Sequence, residues 1–182
     1  DNERIAIVGY GHVGHEVEKV ALHLGLNIEL VDPYVEGCHE RVEGVIDRCR
    51  IVTYHVPLND ETRHLCNEKV LRQMNSKGLL INAARGGVVD EEALLSWLKD
   101  NPEANAAIDC WEGEPVINKE LAKRVMIGTP HIAGYSAEGK WRGTRMVVEA
   151  IKEHFGWQWH IDEASKEFLS KVGDFEKLRK TR

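Results

Sequence analysis

The run Gly9-Tyr10-Gly11-His12-Val13-Gly14 constrains this chain more than any other feature, because it follows the apolar stretch Ile5 to Gly9 directly and opens the amphipathic stretch Val13 to Leu24. Such a junction between strand and helix has few uses. Gly9 permits a tight turn, Gly11 lets the backbone approach a diphosphate, and Gly14 lets helix and strand pack closely while the helix N-terminus faces the phosphates. Asp32 stands eighteen residues beyond Gly14, at the end of the next apolar run. A carboxylate there accepts hydrogen bonds from the adenosine ribose hydroxyls and repels a 2′-phosphate. Glycine-rich turns also occur where they only shape a connection. Here strand, glycines, helix, strand and acid occur in order, which predicts a bound dinucleotide, NAD in preference to NADP. Arg41 lies too far along the chain to be assigned to a 2′-phosphate.

Apolar runs of strand length alternate with stretches of helix length, as consecutive βαβ units do, and predict an α/β fold with a doubly wound parallel sheet. The expected strands are 5–9, 28–32, 51–55, 79–82, 106–109 and 125–127. Val13, Val17, Val20, Ala21 and Leu24 form the stripe of a first helix that Gly25 stops, and Asp90 is placed to cap a second carrying Ala93, Leu94, Trp97 and Leu98. A last long helix is expected over 138–155, closed by Gly156. The reading is a Rossmann-type domain over 1–155 and a helical tail over 156–182, with Ala164, Phe168, Leu169, Val172 and Phe175 on one stripe.

Bulk properties narrow the partners. A net charge of −6 with interspersed signs lacks the basic stripe that nucleic-acid binding needs. No run approaches the roughly eighteen apolar residues of a membrane span, so no membrane partner and a cytoplasmic location are expected. Cys38, Cys49, Cys66 and Cys110 show no Cys-x-x-Cys spacing and read as free thiols. His12 and His15 lack a third ligand nearby, so no metal is expected.

Three segments at the ends of expected strands carry polar groups: Ile81 to Gly87, Asp109 to Pro115 and Gly128 to Tyr135. Hydride exchange between a nicotinamide and a 2-hydroxy acid needs a proton acceptor, a group that tunes it and a clamp for the carboxylate. His131 can take up and return a proton, Glu114 can hold its imidazole, and Arg85 offers a planar fork that matches a carboxylate. Singly, each has a bland reading: a solvated arginine, a structural histidine, a Glu-Pro pair that ends an element.

Arg85 within Ala-Arg-Gly-Gly, Glu114 before Pro115, and His131 after Thr129-Pro130 together resemble the D-2-hydroxyacid dehydrogenases over residues 1–155. The resemblance implies that Arg85, Glu114 and His131 are catalytic. It implies cofactor contacts from Gly9, Gly11, His12, Val13 and Gly14, from Asp32, Pro33, Val56 and Pro57, and from Ala83, Ala84, Arg85, Asp109, His131 and Gly134. Substrate is expected to meet Arg85, His131 and Tyr135. The runs Trp111 to Pro115 and His131 to Lys140 look like those of members acting on 4-phospho-D-erythronate in vitamin B6 synthesis. The implied partner is therefore a small phosphorylated 2-hydroxy acid, with Lys140, Arg142 and Arg145 weighed as phosphate ligands against a solvated basic face. A homodimer is the assembly entertained. The alternatives are another acid, such as 3-phosphoglycerate, or a non-catalytic NAD(H)-binding module.

Two departures accompany the resemblance. Val56 stands where the suggested relatives carry a hydroxyl residue near the cofactor. The chain also begins close to the first strand, so the substrate domain is largely absent, and the expectation for these 182 residues is NAD binding with weak or no turnover.

Overall fold

A computed structural model describes residues 3–157. The chain through Ala133 forms one compact unit and the chain from Gly134 a second. The short apolar runs of the first unit become six strands: β1 (Arg4–Val8), β2 (Asn27–Val31), β3 (Ile51–Tyr54), β4 (Leu79–Asn82), β5 (Asn105–Ile108) and β6 (Ile127–Gly128). They make one sheet in the order β2-β1-β3-β4-β5-β6. Every pairing is parallel, so all six carboxyl ends share one edge. From β1 the chain passes to β2 on one side and β3 on the other, which opens a crevice beside β1 at that edge.

Alternation along β1 divides the core. Ile5 and Ile7 pack on one face with Ala21 of α1 (His12–His23), while Ala6 and Val8 join the larger cluster on the other. That larger side receives α2 (Glu68–Leu71), α3 (Glu91–Asp100) and α4 (Lys119–Arg124). α1 seats itself through Gly14 and Ala21, both buried, with Val17 partly covered, whereas Val13, Val20 and Leu24 stay exposed. Only the smaller-residue edge of the expected stripe faces the sheet, because small side chains let helix and strand approach closely. Asp90 caps α3 by accepting from the N–H groups of Glu92 and Ala93 at 3.1 and 3.0 Å, and Leu94, Leu95, Trp97 and Leu98 are buried behind it.

The expectation of successive βαβ units needs correction between β2 and β3. Two 3₁₀ turns, Val42–Gly44 and Ile46–Arg48, take the place of a crossover helix. Val42, Val45, Ile46 and Cys49 keep helical spacing and are all buried, but Gly44 interrupts them and β-branched neighbours disfavour a continuous helix. In the second unit α5 (Ala137–Phe155) is capped by Ser136, whose Oγ accepts from the Gly139 N–H at 2.9 Å, and ends at Gly156 with φ of 65°. The tail expected over 156–182 lies outside the described residues beyond Trp157. Among the described residues no helix is long and apolar enough to cross a membrane.

Candidate active site

The glycine-rich turn is built as its spacing requires. A Cβ on Gly9, whose φ is 94°, falls 2.7 Å from the His55 carbonyl carbon, and one on Gly14 falls 2.3 Å from the Gly9 carbonyl oxygen. These two glycines pack the turn against its neighbours. Gly11 differs, since a Cβ there meets nothing within 4 Å, so its lack of a side chain keeps the approach to the backbone open. α1 has no side-chain cap and no acid in its first turn, whereas side chains cap α2, α3, α4 and α5. Its leading N–H groups and positive dipole end are left for an anion, which fits the diphosphate of a dinucleotide.

Beside this turn lies a groove of about 580 Å³ lined by Gly9, Gly11, Asp32, Pro33, Val56 and Pro57, all expected at a cofactor, together with Tyr34, Arg41, His55, Glu61 and Thr62. The Asp32 carboxylate accepts the Tyr10 N–H on one oxygen at 2.9 Å and the Tyr34 N–H on the other at 3.0 Å. Each oxygen keeps a lone pair for a further donor. Arg41 requires a second correction. The chain after β2 folds back, with the His39 N–H donating to the Leu30 carbonyl at 2.8 Å, and this return brings Arg41 into the groove lining despite its distance along the sequence.

The carboxyl ends of β4, β5 and β6 hold the catalytic candidates. Buried Asn82 shapes the turn after β4: its amide donates to the Arg85 carbonyl at 3.0 Å and its Oδ1 accepts from the Ala84 N–H at 3.1 Å. Ala83 and Ala84 lie within this turn, and it leaves the Arg85 side chain exposed. Gly86 packs so tightly on the next loop that a Cβ falls 1.9 Å from the Trp111 carbonyl oxygen, which fixes the Arg85 turn against the segment bearing Glu114. Glu114 accepts from the Trp111 N–H at 2.6 Å through Oε1 and meets His131 Nδ1 at 2.8 Å through Oε2. The His131 contact is the largest influence holding the Glu114 carboxyl below its usual range.

His131 has φ of 52°, a conformation that suits glycine better than a side chain. Asp109 imposes it. Its carbonyl accepts the His131 N–H at 2.8 Å, while its carboxylate accepts from Thr129 Oγ1, Ile132 N and Ala133 N at 2.5 to 2.9 Å. Burial pushes this carboxyl up, but the three donors outweigh it and hold it low. Behind the Arg85 turn is a second histidine–carboxylate pair that sequence reasoning missed. His64, with φ of 50°, contacts both Glu112 oxygens at 3.0 and 3.1 Å, and its N–H donates to the Gly87 carbonyl at 2.7 Å. Glu112 and Gly87 sit beside expected site residues in sequence, but nothing there points to His64.

Other expected residues fall as follows. His12 and Val13 occupy the exposed first turn of α1. Gly134 and Tyr135 belong to the second unit, where the Lys140 ammonium lies 3.3 Å from the Tyr135 ring centroid and draws the phenol pKa down. Among the described residues no three His, Cys, Asp or Glu side chains gather as a metal site. His15 instead stacks on Tyr10 and contacts the Gly11 carbonyl through Nδ1. The four thiols are unpaired, and Cys49, Cys66 and Cys110 are buried.

A parallel sheet with a glycine cradle at its crevice beside β1, and a carboxylate-held histidine beyond β6, four strands away on the same edge, defines a dinucleotide-binding domain. More narrowly, the chain belongs to the D-isomer specific 2-hydroxyacid dehydrogenase family, as its NAD binding domain, with residues 1–133 matching the family model. It is similar to the erythronate-4-phosphate dehydrogenase of an Escherichia coli strain, 42% identical over an alignment of 166 positions that covers 86% of this chain and 44% of the relative. The chain thus spans less than half the length of that relative. Among solved structures it is similar to an NADPH-dependent glyoxylate/hydroxypyruvate reductase from Sinorhizobium meliloti in complex with NADP and malonate (28% identity, TM-score 0.70, 74% of this chain and 44% of that one). It is also similar to a D-lactate dehydrogenase with NAD+ from Lactobacillus jensenii (25% identity, TM-score 0.66, 74% and 47%).

Proposed function

We propose that this chain is the cofactor half of an NAD-dependent dehydrogenase acting on 4-phospho-D-erythronate. The observation that carries the proposal is the 2.8 Å contact between His131 Nδ1 and Glu114. With Nδ1–H donated to the carboxylate, Nε2 is the nitrogen left to take the hydroxyl proton of a 2-hydroxy acid. Glu114 then stabilises the imidazolium that forms and holds the ring in one tautomer. Arg85, exposed beyond β4, receives the substrate carboxylate on its guanidinium fork and polarises the reacting carbon. NAD, when bound, would supply the hydride acceptor; the N-terminus of α1 would hold its diphosphate and Asp32 its adenosine ribose, and the family resemblance assigns Asp109 and Gly134 to the nicotinamide. Tyr135 is assigned to the substrate. The particular acid is proposed from the likeness to the Escherichia coli relative.

The test joins this chain to the part of that relative it does not span, then follows NADH absorbance with 4-phospho-D-erythronate and with 3-phosphoglycerate. Turnover of the former, abolished by His131→Ala, is expected. Faster turnover of 3-phosphoglycerate would reassign the substrate. NADH binding without any turnover, unaltered by His131→Ala, would leave only a cofactor-binding module.

A further inference from the structure

The adenosine end of the groove holds a pairing that the catalytic reading does not use. Tyr34 follows β2 and Glu61 follows β3, and in the sheet these strands flank β1, so roughly 10 Å separates them. The Tyr34 hydroxyl nevertheless donates to Glu61 Oε2 at 2.6 Å, which carries the contact past the end of β1, where Gly9 begins the cradle. Both ends are anchored. The Tyr34 N–H is held by Asp32, while Asn59 Oδ1 accepts from the N–H groups of Glu61 and Thr62 at 3.0 and 2.9 Å. Tyr34 is 79% exposed, so packing does not account for its placement and the hydrogen bond does. The hydrogen bond to Glu61, then the Glu61 charge, then burial, then the Asp32 charge raise the phenol pKa. Both carboxylates therefore act on one hydroxyl.

From this arrangement we infer that Glu61, fixed in place by Tyr34, is a second specificity-determining carboxylate at the adenosine ribose and rejects the 2′-phosphate of NADP alongside Asp32. The inference rests on the proposed binding of NAD in this groove. A dianionic phosphate approaching Asp32 also meets the charge of Glu61, which the clasp keeps from swinging into solvent. Glu40 and Glu43 line the same groove, and among the described residues that line it Arg41 is the single Lys or Arg, so acidic side chains outnumber basic ones where a phosphate would sit. NAD carries a neutral hydroxyl at the 2′ position and escapes this repulsion.

The experiment titrates NADH and NADPH, by the fluorescence of the reduced nicotinamide, into the wild-type chain and into the Glu61→Gln, Tyr34→Phe and Asp32→Asn variants. Glu61→Gln is expected to narrow the NADPH-to-NADH ratio of Kd values about tenfold. Tyr34→Phe keeps the charge but frees it, and is expected to narrow the ratio about threefold. Both positions are exposed, and unchanged melting temperatures check that the variants fold. A ratio unaltered in either variant overturns the assignment. Failure of the wild type to bind NADH at all overturns the cofactor reading itself, and that outcome is distinct from NADH binding with an unaltered ratio.

Discussion

A Cβ built on Gly11 meets no atom within 4 Å, whereas one on Gly14 lies 2.3 Å from a backbone oxygen. The same substitution therefore does different things at two positions three residues apart. Gly11→Ala is expected to leave the melting temperature unchanged and to weaken NADH binding about tenfold or more, because the methyl group enters the space kept for the diphosphate. Gly14→Ala is expected to lower stability by about 2 kcal/mol or more, seen as a shifted urea midpoint. At the proposed chemical centre, Glu114→Gln replaces the carboxylate that meets His131 Nδ1 at 2.8 Å. In the joined enzyme its kcat is expected to fall about 100- to 1000-fold with NADH affinity unaltered. Much of this scale was legible in the sequence, since Arg85, Glu114 and His131 follow strands whose ends the parallel topology aligns. Arg41, Tyr34, Glu61 and His64 were not, because their placements depend on chain returns and on pairings across 27 to 48 residues.

Among the elements, β2 sits at the edge of the sheet and is secured by charge as well as by its ladder. Glu29 accepts from Arg4 at 2.6 Å, from Arg48 at 3.0 and 3.1 Å, and meets His39 at 2.9 Å. Burial pushes the Glu29 carboxyl up, but the bonds from Arg48, Arg4 and His39 prevail and bring it from 4.5 down to about 2. A depressed folded pKa stabilises above the unfolded value and the gain is lost on acidification. The contribution is thus complete above about pH 4.5 and disappears as pH falls toward 2. Glu29→Gln is expected to cost about 2 kcal/mol at pH 7 and to flatten the acid limb of a stability-against-pH curve. Strand positions were readable because buried parallel strands are short apolar runs. The β2-to-β3 crossover was not, since Val42, Val45, Ile46 and Cys49 bury themselves in 3₁₀ turns as completely as a helix would.

For the molecule as a whole, the cofactor is a folding ligand. NADH at a hundred times its Kd is expected to add about 2.7 kcal/mol, or roughly 5 to 10 °C in thermal melting. ADP-ribose, which shares the diphosphate and both riboses, is expected to raise the melting point as well. The division of the chain at Ala133 was not legible in an unbroken run of ordinary composition. The uniform direction of the six strands has one more effect. Every group assigned to binding or chemistry in the sheet-bearing unit gathers at its carboxyl edge, while the turns at the opposite edge, such as Asn101 to Ala104, carry none. An affinity peptide spliced between the exposed residues Pro102 and Glu103 is expected to leave NADH affinity within twofold. That rear edge is where such a scaffold can be tethered, fused or diversified while its working edge stays as it is.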